Sequence, residues 1–224
     1  MANPAAKDRV NFVLKSPQLV RWLMEPTSAA LLINGHSDSP SFVSPMSHFC
    51  AFLAESLKKE RTPTCIFFCG LRCSKNSASD ARDLVKGLIA QLMSRFEFDF
   101  SFLKGKKPKK LREPKKLCWI LQEMVGMLPE GTQVFWIVDD VSLFESRNRA
   151  DDTNCVFAEL LRIIREENRA VVKFLVTSKN LSYDVANMWG DGSVLNVPTY
   201  VDGERQGTVV PLDFVGGKVP HIQG

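Results

Sequence analysis

Asp139 and Asp140 close a run of five apolar residues, Val134, Phe135, Trp136, Ile137 and Val138. Such a run reads as a strand buried on both faces, the habit of a central parallel strand. Acids at its carboxyl end stand where open α/β sheets bind ligands, and a carboxylate there can hold Mg²⁺. Upstream, Leu31, Leu32 and Ile33 lead through Asn34 to Gly35, and Ser44-Pro45 then opens a helix with a serine cap and a proline at its first position. Gly35, Ser44 and Ser47 could offer backbone N–H groups and hydroxyls to a small anion at that helix end. A further apolar run ends in Thr177-Ser178-Lys179. Together these residues could place acids and a small-anion site at one edge of a sheet.

The elements that must position them alternate. Strands are expected near 29–34, 65–69, 134–138, 171–176 and 194–197. Between them, Met46, Phe49, Cys50, Leu53 and Leu57 form one helical stripe, and Ala81, Leu84, Val85, Leu88, Ile89, Leu92, Met93 and Phe96 another, opened by a capping box from Ser77 to Asp80. Pro114 seats a helix carrying Leu117, Ile120, Leu121 and Met124. A polar loop over 146–154 precedes a helix with Val156, Phe157, Leu160, Leu161 and Ile164 inward, and a short helix is expected around 182–188. This alternation predicts a doubly wound, mainly parallel sheet with helices on both faces. Residues 1–28 read as a helical lead-in interrupted at Pro17, with Leu19, Val20, Trp22 and Leu23 docking. Residues 29–200 form the α/β domain, and 201–224 a hairpin around Asp202-Gly203 with a frayed end.

Composition narrows the class. Of 224 residues, 45% are apolar and 24% charged, ordinary for a folded domain with a real core. No apolar segment approaches the roughly 18 to 20 residues that span a bilayer, so no membrane partner is expected. The six cysteines and three histidines are scattered rather than clustered as zinc ligands or a disulfide framework. Net charge is only +4, and residues 104–116 carry eight bases and one acid. No groove-reading motif accompanies that charge, so nucleic-acid binding by the domain is not expected. It reads as a solvated loop, a nuclear-import signal or a contact for an acidic partner.

The segments WL, LLING, CIFFCG, ARDLVKGLIAQLM, VFWIVDD and VVKFLVTSK follow one another in order. In that order they resemble the nucleotide-binding core of NACHT/STAND P-loop proteins, and among these the nephrocystin-like N-terminal domains abundant in fungi, over about residues 20 to 200. The resemblance implies a three-layer P-loop NTPase-like fold with a five-stranded mainly parallel sheet. Its strand order would be last strand, 31–34, 171–176, 134–138, 64–69. Asp139 would be the Mg²⁺ acid, with Asp140 beside it, and Lys179 would replace an arginine at the strand end, keeping the charge but not the planar fork.

The phosphate loop departs from that pattern. A working loop needs G-x-x-x-x-G-K-[ST], in which lysine neutralises the phosphates and the hydroxyl holds Mg²⁺. Counted from Gly35, the last three positions hold Pro40, Ser41 and Phe42, and no lysine occurs between Asn34 and Leu57. The expectation is therefore a non-catalytic regulatory or protein-interaction module. It would have no cofactor beyond weak Mg-ATP, and its partners would be other proteins, including full-length STAND relatives. It would be cytoplasmic, or nuclear through residues 104–116. An active ATP or GTP hydrolase with an atypical loop is the enzymatic alternative. A second alternative takes Gly35-His36-Ser37-Asp38-Ser39 as a nucleophile elbow, with Ser37, Asp139 or Asp140, and His221 as an esterase triad. Against it, the closing position is Ser39 rather than glycine and the helix starts only at Ser44-Pro45.

Overall fold

A computed structural model describes residues 4–37, 43–72, 80–106, 110–145, 150–166, 168–190 and 192–201. Five strands, β1 (Ala29–Asn34), β2 (Thr64–Phe68), β3 (Gln133–Asp139), β4 (Val171–Ser178) and β5 (Val194–Asn196), form one sheet. Its order is β2-β3-β4-β1-β5 and every pairing is parallel, as the resemblance implied.

Side chains alternate across the central strands because successive residues of a strand point to opposite faces. Val134, Trp136 and Val138 of β3 join Val172, Phe174 and Val176 of β4 under helices α4 (Ala81–Met93), α5 (Pro114–Gly126) and α6 (Ala150–Arg165). On the opposite face Phe135, Ile137, Leu31, Ile33 and Leu175 pack against α1 (Pro4–Leu14), α2 (Pro17–Met24) and α3 (Pro45–Lys59). A strand buried on both sides needs an apolar residue at nearly every position, hence the unbroken run in β3.

The lead-in is two helices, not an appendage. Ser16 caps α2, its hydroxyl accepting from the Gln18 N–H at 3.2 Å, while Pro17 fills the first helical position. Leu19 and Trp22 are buried in the same core as β1 and β3, whereas Val20, expected to dock, is half exposed on the outer face of α2.

Three boundaries differ from the sequence reading. The cap of α4 is Asp80, reciprocally bonded with Asp83, so the cap lies three residues after the expected Ser77. Residues 73–79 lie outside the described set. Helix α6 begins at Ala150 within the stretch read as loop, since Asp151 and Asp152 in its first turn complement the helix dipole. The expected helix around 182–188 is reduced to a 3₁₀ turn, Ala186–Met188. Its leading N–H groups are taken by side chains instead: Glu145 accepts from Tyr183 and Val185, and Ser182 Oγ from Ala186. The hairpin expected after residue 201 lies outside the described residues.

One polar residue breaks the apolar face of β4. Lys173 is fully buried, and its ammonium donates to the backbone carbonyls of Trp22, Glu25 and Thr27 where α2 ends and the chain turns into β1. Those carbonyls have no helical partner, so the lysine both satisfies them and fixes the lead-in to the sheet. Burial lowers its pKa to about 8. Lys173→Ala should lower the unfolding free energy by about 2–4 kcal/mol in urea denaturation, since charged hydrogen bonds and stem packing are lost together. A loss under about 1 kcal/mol would show that the clasp contributes little.

Candidate functional site

The strand exits β1, β3 and β4 and the start of α3 meet at the carboxyl edge of the sheet, and the chemistry-bearing residues gather there. Asp139, 4% exposed, ends β3. Its Oδ1 accepts from the Thr177 hydroxyl of β4 at 2.8 Å, and it also accepts from the Ser47 hydroxyl in the first turn of α3. Thr177 Oγ1 in turn accepts from the Asp140 N–H at 3.3 Å and lies 3.6 Å from Cys50 Sγ. Burial raises the Asp139 pKa to about 6 against the pull of the two hydroxyls, and the neighbouring Asp140 raises it further. The same burial, with Asp139 close by, pushes the Cys50 thiol well up.

Asp140 turns the chain out of the sheet in the left-handed region, φ 61°, which aspartate tolerates better than most residues. Its Oδ1 accepts from the Ser142 hydroxyl and from the Lys179 N–H at 3.1 Å. Both acids are thus engaged by protein donors. Among the described residues no group of three His, Cys, Asp or Glu side chains is placed to hold a metal.

The glycine loop is braced from the same side. The Gly35 N–H donates to the Ser178 carbonyl and the Ser37 N–H to the Lys179 carbonyl, both at 2.9 Å. Gly35 is required by proximity: a Cβ there would lie 2.9 Å from the Lys179 oxygen, 2.9 Å from Met46 Cγ and 3.0 Å from the Ser178 oxygen. Ser44 and Ser47 form a capping box, each hydroxyl accepting the other's backbone N–H, and Met46 between them is wholly buried. Pro40, Ser41 and Phe42 lie outside the described residues.

The structure therefore brings Gly35, Ser44, Ser47, Asp139, Asp140 and Lys179 into one region. It adds residues that sequence reasoning passed over. Arg9 of α1 donates to the carbonyls of Gly35, Pro198 and Thr199 at 2.7, 3.1 and 2.6 Å, so the lead-in reaches the loop itself. Asn34 bonds Asn196 across β1 and β5, and its Oδ1 accepts from the Ser182 N–H. Glu145 accepts from the Ser182 hydroxyl and two backbone N–H groups, which gives it an anchoring role. A lone arginine or asparagine carries no spacing signal, so these roles had no trace in the pattern. For the esterase alternative, Ser37 is buried, α3 does not begin until Pro45, and His221 lies outside the described residues.

A glycine-ended first strand, an acid-ended third strand and this sheet order define a P-loop NTPase-type domain of the NACHT kind. The family model described as nephrocystin 3, N-terminal, matches residues 9–179, and the chain belongs to that family. Among curated proteins none matches. Among solved structures, the Aeropyrum pernix ORC1 protein in complex with DNA is similar over 89% of this chain, at 13% identity and a TM-score of 0.47. The chain spans 46% of the length of that protein.

Two measurements probe the site. Gly35→Ala should cost roughly 2 kcal/mol or more, because two of the three close neighbours are backbone oxygens that cannot turn aside. A change within about 0.5 kcal/mol would mean the loop relaxes freely. Asp139 has a folded pKa above its unfolded one. It therefore contributes stability that is fully present below the unfolded value and lost as pH rises through about 6. In metal-free buffer, the stability of wild type minus that of Asp139→Asn should fall by about 2 kcal/mol between pH 4 and 7. A difference independent of pH would show that the carboxyl titrates normally.

Proposed function

We propose that this domain is a non-catalytic regulatory or protein-interaction module in which the phosphate clamp of the P-loop fold is lost. One observation carries the reading. The hydroxyl that meets the β3 acid belongs to Ser47, and the residue immediately before it is Met46, fully buried against Gly35. In an active loop a lysine precedes the hydroxyl that holds Mg²⁺ and neutralises the β and γ phosphates. Counting from Gly35 instead gives Pro40, Ser41 and Phe42 at those positions, and no lysine or arginine lies between Asn34 and Leu57.

The residues present do not fit Mg-ATP well. Asp139 already accepts two hydroxyls, and Ser44 and Ser47 cap each other. Asp139, Asp140 and Lys179 keep the charges of the family site, so a weak anion or metal contact stays within reach. The module's partners on this reading are other proteins, full-length STAND relatives among them, with residues 104–116 giving access to the nucleus as well as the cytoplasm.

Losing one charge-assisted contact costs about 1.5–3 kcal/mol, roughly a tenfold to hundredfold loss of affinity. Without lysine and the glycine wrap, titration calorimetry should place the Mg-ATP dissociation constant in the high micromolar range or weaker. Hydrolysis should be indistinguishable from that of Asp139→Ala. A sub-micromolar constant, or turnover abolished by Asp139→Ala, would favour an active hydrolase with a rebuilt loop.

A further inference from the structure

The positive charge of this protein is concentrated in one place. Residues 104–116 carry a net charge of +7 while the whole chain carries +4, so everything else is net −3. Elsewhere several cations are answered internally. Arg82 and Arg162 pair with acids, Lys86 with Asp83, and Arg9 and Lys173 with backbone carbonyls. Lys104, Lys106, Arg112, Lys115 and Lys116 are all exposed, and among the described residues none of them forms an ion pair. Lys115 and Lys116 even stand in the first turn of α5, where the helix dipole is already positive and the N-cap Glu113 is the one acid beside it.

The structure holds these charges in place. Phe96, Phe98, Phe100 and Phe102 run in sequence along the outside of the α4–α5 layer, each ring 5.9–6.3 Å from the next, and Phe102 meets Trp119 of α5 edge-on at 5.4 Å. The Lys106 and Lys116 ammonium groups lie over the Trp119 ring at 5.7 and 5.6 Å. The aromatic row anchors a cationic ledge in which, among the described residues, no lysine or arginine is neutralised by an ion pair.

We infer that this ledge is the docking surface for an acidic protein segment. The inference rests on the interaction-module reading above and names the partner's chemistry. Nucleic acid is disfavoured because the rings pack against one another and against the core and two lysines lie over Trp119, which leaves less ring face for a base to stack on. A membrane is disfavoured because the phenylalanines of the row are packed against the core, and exposed apolar side chains such as Val20, Phe52 and Tyr200 belong to other elements, although Met93 at the end of α4 adjoins the row in sequence. The outward residues between the phenylalanines are Glu97 and Asp99, both exposed. The Asp99 carboxylate is taken up by the Ser101 N–H and hydroxyl, whereas the exposed Glu97 carboxylate can accept N–H groups, which a peptide backbone offers and a phosphodiester backbone lacks.

Polyglutamate peptide, oligothymidylate of equal charge and phosphatidylserine vesicles should be titrated in turn against the full chain at low salt. The readouts are affinity and the Trp119 indole N–H resonance. Polyglutamate should bind tightest and shift that resonance. The double variant Lys104→Glu, Lys115→Glu, which leaves the two lysines over Trp119 and the folded spectrum intact, should weaken it by about tenfold. Absent polyglutamate binding, binding unaffected by the double variant, or equal or tighter binding of oligothymidylate or vesicles would overturn the inference. Tight Mg-ATP binding in calorimetry would strike the interaction-module reading instead, so the two failures are distinguishable.

Discussion

A buried carboxylate at the end of the central strand ties the carboxyl edge of the sheet together. Asp139 is the end of β3, Thr177 the end of β4 and Ser47 the first turn of α3, so two hydrogen bonds fix three elements at one point. Taking a carboxyl group out of water is costly unless its oxygens find donors. The donors on hand are neutral hydroxyls, which compensate only in part, and the raised pKa is the residue of that shortfall. The edge is therefore built around an acid held against its preference, a common signature of sites derived from function. Everything adjoining it follows this geometry: Asp140 must leave the sheet in the left-handed region, and Gly35 must lack a side chain to pass β4.

Two cationic clasps complete the frame. Lys173 gathers three carbonyls at the turn from α2 into β1, and Arg9 gathers three more at the exits of β1 and β5. Each satisfies backbone oxygens that regular structure leaves unpaired. Each also commits the lead-in helices to the sheet, so residues 4–24 belong to the same cooperative unit as the strands and share their core.

The fold was legible from residues whose signal is repetitive. Runs such as Val134 to Val138 and stripes such as Met46, Phe49, Cys50, Leu53 and Leu57 repeat a period, and period decides strand or helix. The ordered family segments then implied the strand order. What stayed hidden depends on single side chains acting at a distance. Lys173, Arg9 and Glu145 each act singly, with no period or motif spacing that marks them in the sequence. Asp151 and Asp152 carry the composition of a loop, yet a helix start favours the same residues. The site was legible as a set of positions, Gly35, Ser44, Ser47, Asp139, Asp140 and Lys179, because motif spacing survives in sequence. Its internal wiring was not, since the hydrogen bond between Ser47 and Asp139 spans two elements that no local pattern connects.

That wiring bears on why such a site would persist without turnover. In a working phosphate loop the backbone N–H groups at the glycine turn and helix start are kept for the nucleotide, and the empty site is the poorer for it. Here the Gly35 and Ser37 N–H groups are occupied by the Ser178 and Lys179 carbonyls, and those of Ser44 and Ser47 by each other's hydroxyls. Groups that elsewhere recognise phosphate instead hold β1, β4 and α3 in register. Once they do, a change that frees them for nucleotide also removes braces from the domain's edge. On the proposed reading, selection for a stable interaction module then opposes recovery of the phosphate clamp, and the acid pair at the end of β3 is retained because the fold is built on it.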